Sequence, residues 1–201
     1  MAGGPAMPVV LVHGALRGRP GLLPTAAYLR RRGFDPRVFG YRTRRDGIDG
    51  AARRLGRAVA RWFPGERGAV GFLTHSMGGL VVRQYLSQTP APGTRVRVVM
   101  LAPPNQGSAV AEAWSGVRAF HALYGAAAEQ LRPSRVQRRP GFNRLVDGND
   151  DGLVGVEETR LGDVGPVLVG GTHTFLQWRP DVLDRAVGFL RGADLHETSE
   201  A

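Results

Sequence analysis

The sequence contains neither cysteine nor lysine. Without cysteine the chain forms no disulfide and offers no thiolate to a metal, although the redox compartment stays undetermined. No apolar stretch approaches the roughly 20 residues that a membrane-spanning helix requires, and the N-terminus lacks the basic and apolar regions of a secretory signal. We therefore expect a soluble, cytoplasmic protein with one domain over residues 1–201 and a frayed tail over residues 193–201.

The positive charge comes from arginine alone. The chain has 27 basic residues and a formal net charge of +10 at pH 7, which raises nucleic acid or an anionic membrane as partners. The arginine clusters at residues 30–32, 42–45 and 138–139 have no interleaved aromatic residues on which bases stack. We therefore expect a solvated basic face and no specific nucleic acid site, and leave weak contact with an anionic membrane surface open.

Short apolar segments alternate with amphipathic ones over the first half of the chain. Strands are predicted at residues 8–12, 36–41, 69–73 and 96–101, and helices at residues 22–32, 48–62 and 77–87. This alternation is typical of a parallel sheet covered by helices.

The second half of the chain is less regular. The pattern predicts helices over residues 109–118 and 120–131, a strand over residues 164–169 and a closing helix over residues 182–190. Residues 136–142 contain no apolar run. This segment is therefore expected to be a loop or a short irregular edge, which leaves the sheet with about five or six strands.

A strand, a tight turn and a helix meet at Ser76, within the segment VGFLTHSMGGLVVR of residues 70–83. A serine hydroxyl is a poor nucleophile unless a sharp turn exposes it above the sheet, between small neighbours such as Gly78. The usual pattern is Gly-x-Ser-x-Gly, and Thr74 replaces its first glycine. The segment predicts a nucleophile elbow; a serine that caps an ordinary helix is the alternative.

The first predicted strand runs directly into His13, Gly14 and Ala15. A tetrahedral acyl intermediate needs two preorganised N–H donors, and the backbone amides of Ala15 and Met77 are the natural pair for such an oxyanion hole. Gly14 allows the chain to come close. His13 is equally consistent with a hydrogen-bonded packing residue.

A pair of adjacent aspartates lies ahead of the last predicted strand, and a histidine closely follows that strand. Asp150 and Asp151 come before this strand, and His173 lies in the loop after it. The order serine, aspartate, histidine is that of triads whose members lie on loops after successive strands of one sheet. His173 is therefore the candidate base. Of the other four histidines, His13 and His75 flank and support the two earlier motifs, His121 lies within a predicted helix and His196 lies in the tail.

Together these motifs resemble the small bacterial esterases and lipases of the α/β-hydrolase family. Two further segments are similar to that family, MLAPPNQGS at residues 100–108 and DGLVGVEET at residues 151–159. The resemblance implies a reduced α/β-hydrolase fold: a mostly parallel sheet of five to six strands with helices on both faces and no large cap domain. The family's acid lies directly before Gly-x-Val, which selects Asp151 over Asp150.

The resemblance also implies hydrolysis of a small-molecule or lipid ester through an acyl-enzyme on Ser76. His173 would act as base and Asp151 would orient it, with no metal or organic cofactor. A thioesterase, an amidase, an acyltransferase or a catalytically silent binding module of the same fold remain alternatives. Neither the physiological substrate nor the oligomeric state follows from the sequence. Candidate pocket residues, each equally consistent with a core position, are Leu16, Leu153, Phe175 and Leu176.

Overall fold

A computed structural model of the protein describes residues 6–64, 68–88, 95–108, 124–125, 127, 150–151, 153–154, 156–163 and 165–194. The helices predicted over residues 109–118 and 120–131 lie almost entirely outside these ranges, as do residues 136–142. Most of the tail predicted over residues 193–201 lies outside them too. The prediction that the protein has no large cap domain falls on the same residues between 109 and 149, and so also lies almost entirely outside the described ranges.

Four strands form a parallel sheet in the described part of the chain, in the order β2-β1-β3-β4. They are β1 (Pro8–Val12), β2 (Asp35–Phe39), β3 (Ala69–His75) and β4 (Arg95–Leu101). The central strands β1 and β3 are buried over nearly their whole length. Strands covered on both faces are apolar at consecutive positions, which is why the sequence predicted them.

Within the described residues, four α-helices connect and follow the strands. They are α1 (Leu23–Arg31), α2 (Thr43–Trp62), α3 (Met77–Gln88) and α4 (Pro180–Arg191). Each confirms a predicted helix, with one difference at the start of α2. The prediction began at residue 48, whereas the helix begins at Thr43 and is kinked at Gly47, whose φ of 59° is not helical.

The sheet separates two apolar cores. Val10 and Phe72 pack on one face with α2 and α3, while Leu11 and Leu73 pack on the other face with α1 and α4. Adjacent residues of a strand point to opposite faces, so each central strand supplies both cores. The prediction of helices on both faces is confirmed.

The prediction of five to six strands is wrong for the described residues, which contain four strands. The strand expected at residues 164–169 is absent from residues 165–169, which the structure describes. Pro166 has no N–H to donate to a neighbouring strand, and Leu168 is 63% exposed. The segment is apolar in composition, but no strand of the described residues pairs with it.

No helix within the described ranges is long and apolar enough to cross a membrane.

Candidate active site

Ser76 lies in the turn between β3 and α3 with a φ of 52°. This left-handed conformation costs a residue with a side chain about 1–2 kcal/mol. The turn is held because the Ser76 N–H donates to the Leu101 carbonyl at 2.8 Å, and the Gly79 N–H donates to the Ser76 carbonyl at 2.9 Å. Ser76 itself is partly exposed. These features are those of a nucleophile elbow, in which strain is retained to present the hydroxyl.

Two glycines allow the loop after β1 to approach this turn. A Cβ atom at Gly78 would lie 2.5 Å from the Val12 carbonyl oxygen, and one at Gly14 would lie 3.0 Å from the Cβ of Ser76. A side chain at Gly78 would therefore push the first turn of α3 away from β1.

Thr74, which replaces the first glycine of the usual pattern, fits without disturbing the turn. It is 1% exposed, and its hydroxyl donates to the Val99 carbonyl at 3.3 Å. A Cβ atom at Gly79 would lie 3.4 Å from the Thr74 hydroxyl oxygen. The second glycine after the serine thus leaves the space that the β-branched side chain of Thr74 occupies.

His13 is a buried residue whose two ring nitrogens are both hydrogen-bonded. Its Nε2 accepts from the Tyr41 N–H at 3.3 Å, so the ring hydrogen is on Nδ1, which donates to the Gly14 carbonyl at 2.8 Å. Its ring also stacks on the Tyr41 ring with centroids 4.3 Å apart. Burial lowers the pKa of His13, which keeps this neutral tautomer.

The His13 bond has a consequence for the neighbouring amide. The Gly14 carbonyl and the Ala15 N–H belong to one planar peptide group and point in opposite directions. By holding this carbonyl, His13 fixes the direction of the Ala15 N–H. The next residue, Leu16, has a φ of 57° and donates its N–H to Thr43 Oγ1 at 3.0 Å, so the whole loop is anchored.

Asp151 and His173 are brought together by two hydrogen bonds. His173 Nδ1 lies 2.7 Å from Asp151 Oδ2, between side chains that are only 8% and 12% exposed respectively. The His173 N–H also donates to the Asp151 carbonyl at 2.9 Å. The carboxylate that bonds to His173 is therefore that of Asp151, the residue selected from the sequence.

The second oxygen of Asp151 is occupied by the backbone. Asp151 Oδ1 accepts from the N–H groups of Leu153 and Val154 at 3.1 Å and 2.9 Å. Burial by itself raises the pKa of Asp151, but the hydrogen bond and charge of His173, together with these two amides, bring that pKa below its ordinary value. Asp151 is therefore ionised at neutral pH, and its loop holds the carboxylate in one orientation.

His75 connects the Ser76 turn to the His173 loop, a contact that sequence analysis missed. Its Nε2 lies 2.8 Å from the His173 carbonyl oxygen and donates to it, and the two rings lie 4.8 Å apart. Among the described residues its Nδ1 has no hydrogen-bond partner. Burial lowers the pKa of His75 to about 4, and the nearby His173 ring adds to this effect.

We expect the free energy of unfolding to decrease as the pH falls from about 6.5 to about 4. Folding lowers the pKa of His75 from 6.5 to about 4. The stability that depends on a neutral His75 is fully present above the pKa of the unfolded state. It is lost as the pH falls from that pKa through the pKa of the folded state. The loss amounts to about 3 kcal/mol. Urea denaturation over this pH range measures it.

The variant His75→Gln isolates this effect because glutamine retains an N–H donor but does not titrate. Burial also lowers the pKa of His13, so the wild-type slope contains both residues and the difference between the two proteins belongs to His75. Equal slopes in wild type and His75→Gln would contradict the assignment.

The contact between His75 and His173 brings the Ser76 turn and the Asp151–His173 pair to the same edge of the sheet. Within the part of the chain that the structure describes, no hydrogen bond joins the Ser76 hydroxyl to His173. Such bonds are often long in an unliganded protein and shorten when substrate binds. Met77 is 1% exposed and begins α3, where the first N–H groups have no partner within the helix.

Three of the four predicted pocket residues are exposed beside this site. Leu16, Leu153 and Phe175 are 47%, 43% and 56% exposed. Leu176 is instead 6% exposed and packs in the core with α1 and α4. Its small exposure follows from its position in a short helical turn, Leu176–Trp178, whose inner side faces that core.

Among the described residues, no cluster of three or more histidine, aspartate or glutamate side chains is arranged to hold a metal ion.

Neither a protein-family model nor a curated protein sequence matches the chain. Solved structures do. The mature lipase BlEst2 from Bacillus licheniformis has a TM-score of 0.66 at 16% sequence identity, over 93% of this chain and 90% of that chain. Its propeptide form has a TM-score of 0.68 at 15% identity, over 96% and 52% of the two chains.

Phospholipase PlaB from Legionella pneumophila, in complex with thio-NAD, is also similar in structure. Its TM-score is 0.51 at 23% identity, over 64% of this chain and 31% of that chain. The chain thus spans about a third of the length of PlaB. At these identities the likeness defines the fold: the protein has a reduced α/β-hydrolase fold.

Proposed function

We propose that the protein is a carboxylic ester hydrolase of the esterase and lipase type, with Ser76 as nucleophile. The observation that carries the proposal is the 2.7 Å hydrogen bond between His173 Nδ1 and Asp151 Oδ2, on the same sheet edge as the strained Ser76 turn. The similarity in fold to a lipase and a phospholipase supports the same class of chemistry.

His173 is the base in this mechanism. Because ionised Asp151 accepts a hydrogen bond from Nδ1, the ring hydrogen stays on that nitrogen and Nε2 presents its lone pair. His173 Nε2 takes the proton of the Ser76 hydroxyl as Ser76 Oγ attacks the carbon of the ester carbonyl. The protonated imidazole then gives this proton to the departing alcohol, and the acyl group remains on Ser76.

The backbone amides of Ala15 and Met77 stabilise the oxyanion of the tetrahedral intermediate. Met77 contributes an N–H from the first turn of α3, where the helix dipole favours negative charge. His13 is a positioning residue, since its bond to the Gly14 carbonyl holds the peptide that carries the Ala15 N–H.

Water completes the cycle. His173 takes a proton from a water molecule, the resulting hydroxide attacks the acyl carbon, and the proton returns to Ser76 Oγ as the acid leaves. These steps use only side chains and amides of the chain. The exposed apolar residues Leu16, Leu153 and Phe175 next to the site support an ester with an apolar acyl group, either a small molecule or a lipid.

A panel of nitrophenyl esters of increasing acyl length, with matched thioesters and anilides, tests the proposal. We expect the esters to be hydrolysed with the highest kcat/KM. Faster turnover of thioesters or anilides would reassign the substrate class, because the pocket and not the triad sets the substrate. Absence of turnover across the panel would favour a binding module of the same fold.

A further inference from the structure

A cleft of about 450 Å³ lies at the amino ends of the parallel strands, whereas Ser76 follows the carboxyl end of β3. Among the described residues, four arginines line it: Arg32, Arg95, Arg97 and Arg191. Phe34 and Leu190 are among its apolar wall residues. No acidic side chain is among the described residues that line it, and its volume is in the range of small-molecule sites, roughly 300–1,000 Å³.

Neutral groups hold two of these guanidinium groups in place. Arg97 donates to the Phe189 carbonyl at 3.0 Å and lies over the Phe189 ring. Arg191 donates to the Arg32 carbonyl at 2.6 Å and lies over the Phe34 ring. Carbonyls and rings orient a guanidinium group without cancelling its charge.

The described carboxylates do not neutralise all of the positive charge in this cleft. Of the four arginines, only Arg32 forms an ion pair within the described residues, with Asp184. Arg95, Arg97 and Arg191 therefore leave three positive charges around one cleft, in the part of the chain that the structure describes.

Helix dipoles account for only part of this arrangement. Arg191 is in the last turn of α4, where a cation stabilises the helix terminus. Arg95 and Arg97 instead begin a strand, which has little net dipole. Being two residues apart, they lie on the same face of the sheet, beside the cleft.

We propose that this cleft binds a small soluble anion carrying phosphate groups. The planar guanidinium fork matches phosphate oxygens and forms two parallel charge-assisted bonds with them. Three uncompensated positive charges suit a ligand with two or more negative charges, and the apolar walls suit an organic substituent.

The position of the cleft favours a soluble phosphate over a lipid headgroup. Ala69 lines the cleft and His75 ends the same strand, directly before Ser76. At about 3.3 Å per residue, six steps separate these ends by about 20 Å. A bilayer bound at the cleft would therefore hold the proposed ester hydrolase site away from the lipid surface.

Isothermal titration of the full chain with sodium pyrophosphate at an ionic strength of about 0.1 M, where charges more than about 10 Å apart are largely screened, tests this site. We expect saturable binding that Arg95→Gln weakens about tenfold and that Arg95→Gln/Arg97→Gln weakens further. Arg53→Gln/Arg57→Gln is the matched control, because it removes two charges from exposed positions on α2. It should change the affinity about twofold or less.

The single variant guards against misfolding, since the exposed Arg95 side chain lacks the ring contact that Arg97 makes with Phe189. Equal weakening by the cleft and control variants, or no binding at millimolar pyrophosphate, would overturn the proposal. Binding to phosphatidylglycerol vesicles without binding to pyrophosphate would overturn the soluble source.

Competition by the chain's own carboxylates is tested separately. Pyrophosphate binding that appears only in Glu197→Gln/Glu200→Gln would mean that the acidic C-terminal residues fill the cleft, and would overturn the proposal. Arg95→Gln should hydrolyse esters like wild type, so failure at the cleft leaves the proposed ester hydrolase function intact.

Discussion

Replacing Ser76 with alanine is expected to lower ester turnover by about 10⁴-fold or more while the protein remains folded. The substitution removes the proposed nucleophilic oxygen and keeps the Cβ atom. The hydrogen bonds that hold the turn come from the backbone N–H and carbonyl of Ser76, so alanine retains them. Steady-state kinetics with one nitrophenyl ester and circular dichroism of both proteins measure the two effects.

A fluorophosphonate probe adds a readout that does not depend on the substrate. We expect one labelled peptide in the wild type, carrying the label on Ser76, and no label in Ser76→Ala. Ser87→Ala is the matched control, because Ser87 lies exposed near the end of α3 and, among the described residues, its hydroxyl bonds to the Gln84 carbonyl of its own helix. Labelling at another serine, or turnover retained in Ser76→Ala, would refute the nucleophile assignment.

Asp151→Asn is expected to lower turnover by about 10⁴-fold. The asparagine oxygen can still accept the amides that now bond to Asp151 Oδ1, so the loop keeps its shape. Its NH₂ group then faces His173 Nδ1 in place of the carboxylate oxygen. A donor at this position favours the tautomer with hydrogen on Nε2, which cannot take the Ser76 proton.

Asp150→Asn is the neighbouring control for this experiment. It should cost less than about tenfold in turnover, because the bond to His173 comes from Asp151 and a tenfold change is about 1.4 kcal/mol. Both variants are compared with the same ester after circular dichroism has established that they are folded. The reverse ranking would transfer the orienting role to Asp150, and two mild effects would exclude both residues.

The elements predicted best are those whose signal is local. Strands β1 and β3 are short apolar runs, and the turn at Ser76 carries its own requirement for the small residue Gly78. A Cβ atom there would lie 2.5 Å from the Val12 carbonyl oxygen. The strand predicted over residues 164–169 is wrong for residues 165–169. Apolar composition is a local property, whereas a strand also needs a neighbouring strand that forms hydrogen bonds with it.

The candidate site divides in the same way. Ser76, Asp151 and His173 were selected from motif, spacing and family resemblance, and the sequence left the role of His13 open. The bond of His13 to the Gly14 carbonyl supports the positioning role proposed for it. The contact of His75 with the His173 carbonyl joins residues 98 positions apart, and no pattern along the chain signals it.

The sequence by itself thus determined the alternation of strands and helices, the two apolar faces and the residue types available for acyl chemistry. These depend on burial periodicity and on backbone conformation, which neighbouring residues specify. Only the tertiary structure decided how closely Asp151 approaches His173, what His75 contacts and that Arg32, Arg95, Arg97 and Arg191 share one cleft. Those contacts form when distant loops close on the sheet, so their geometry is a property of the packed chain.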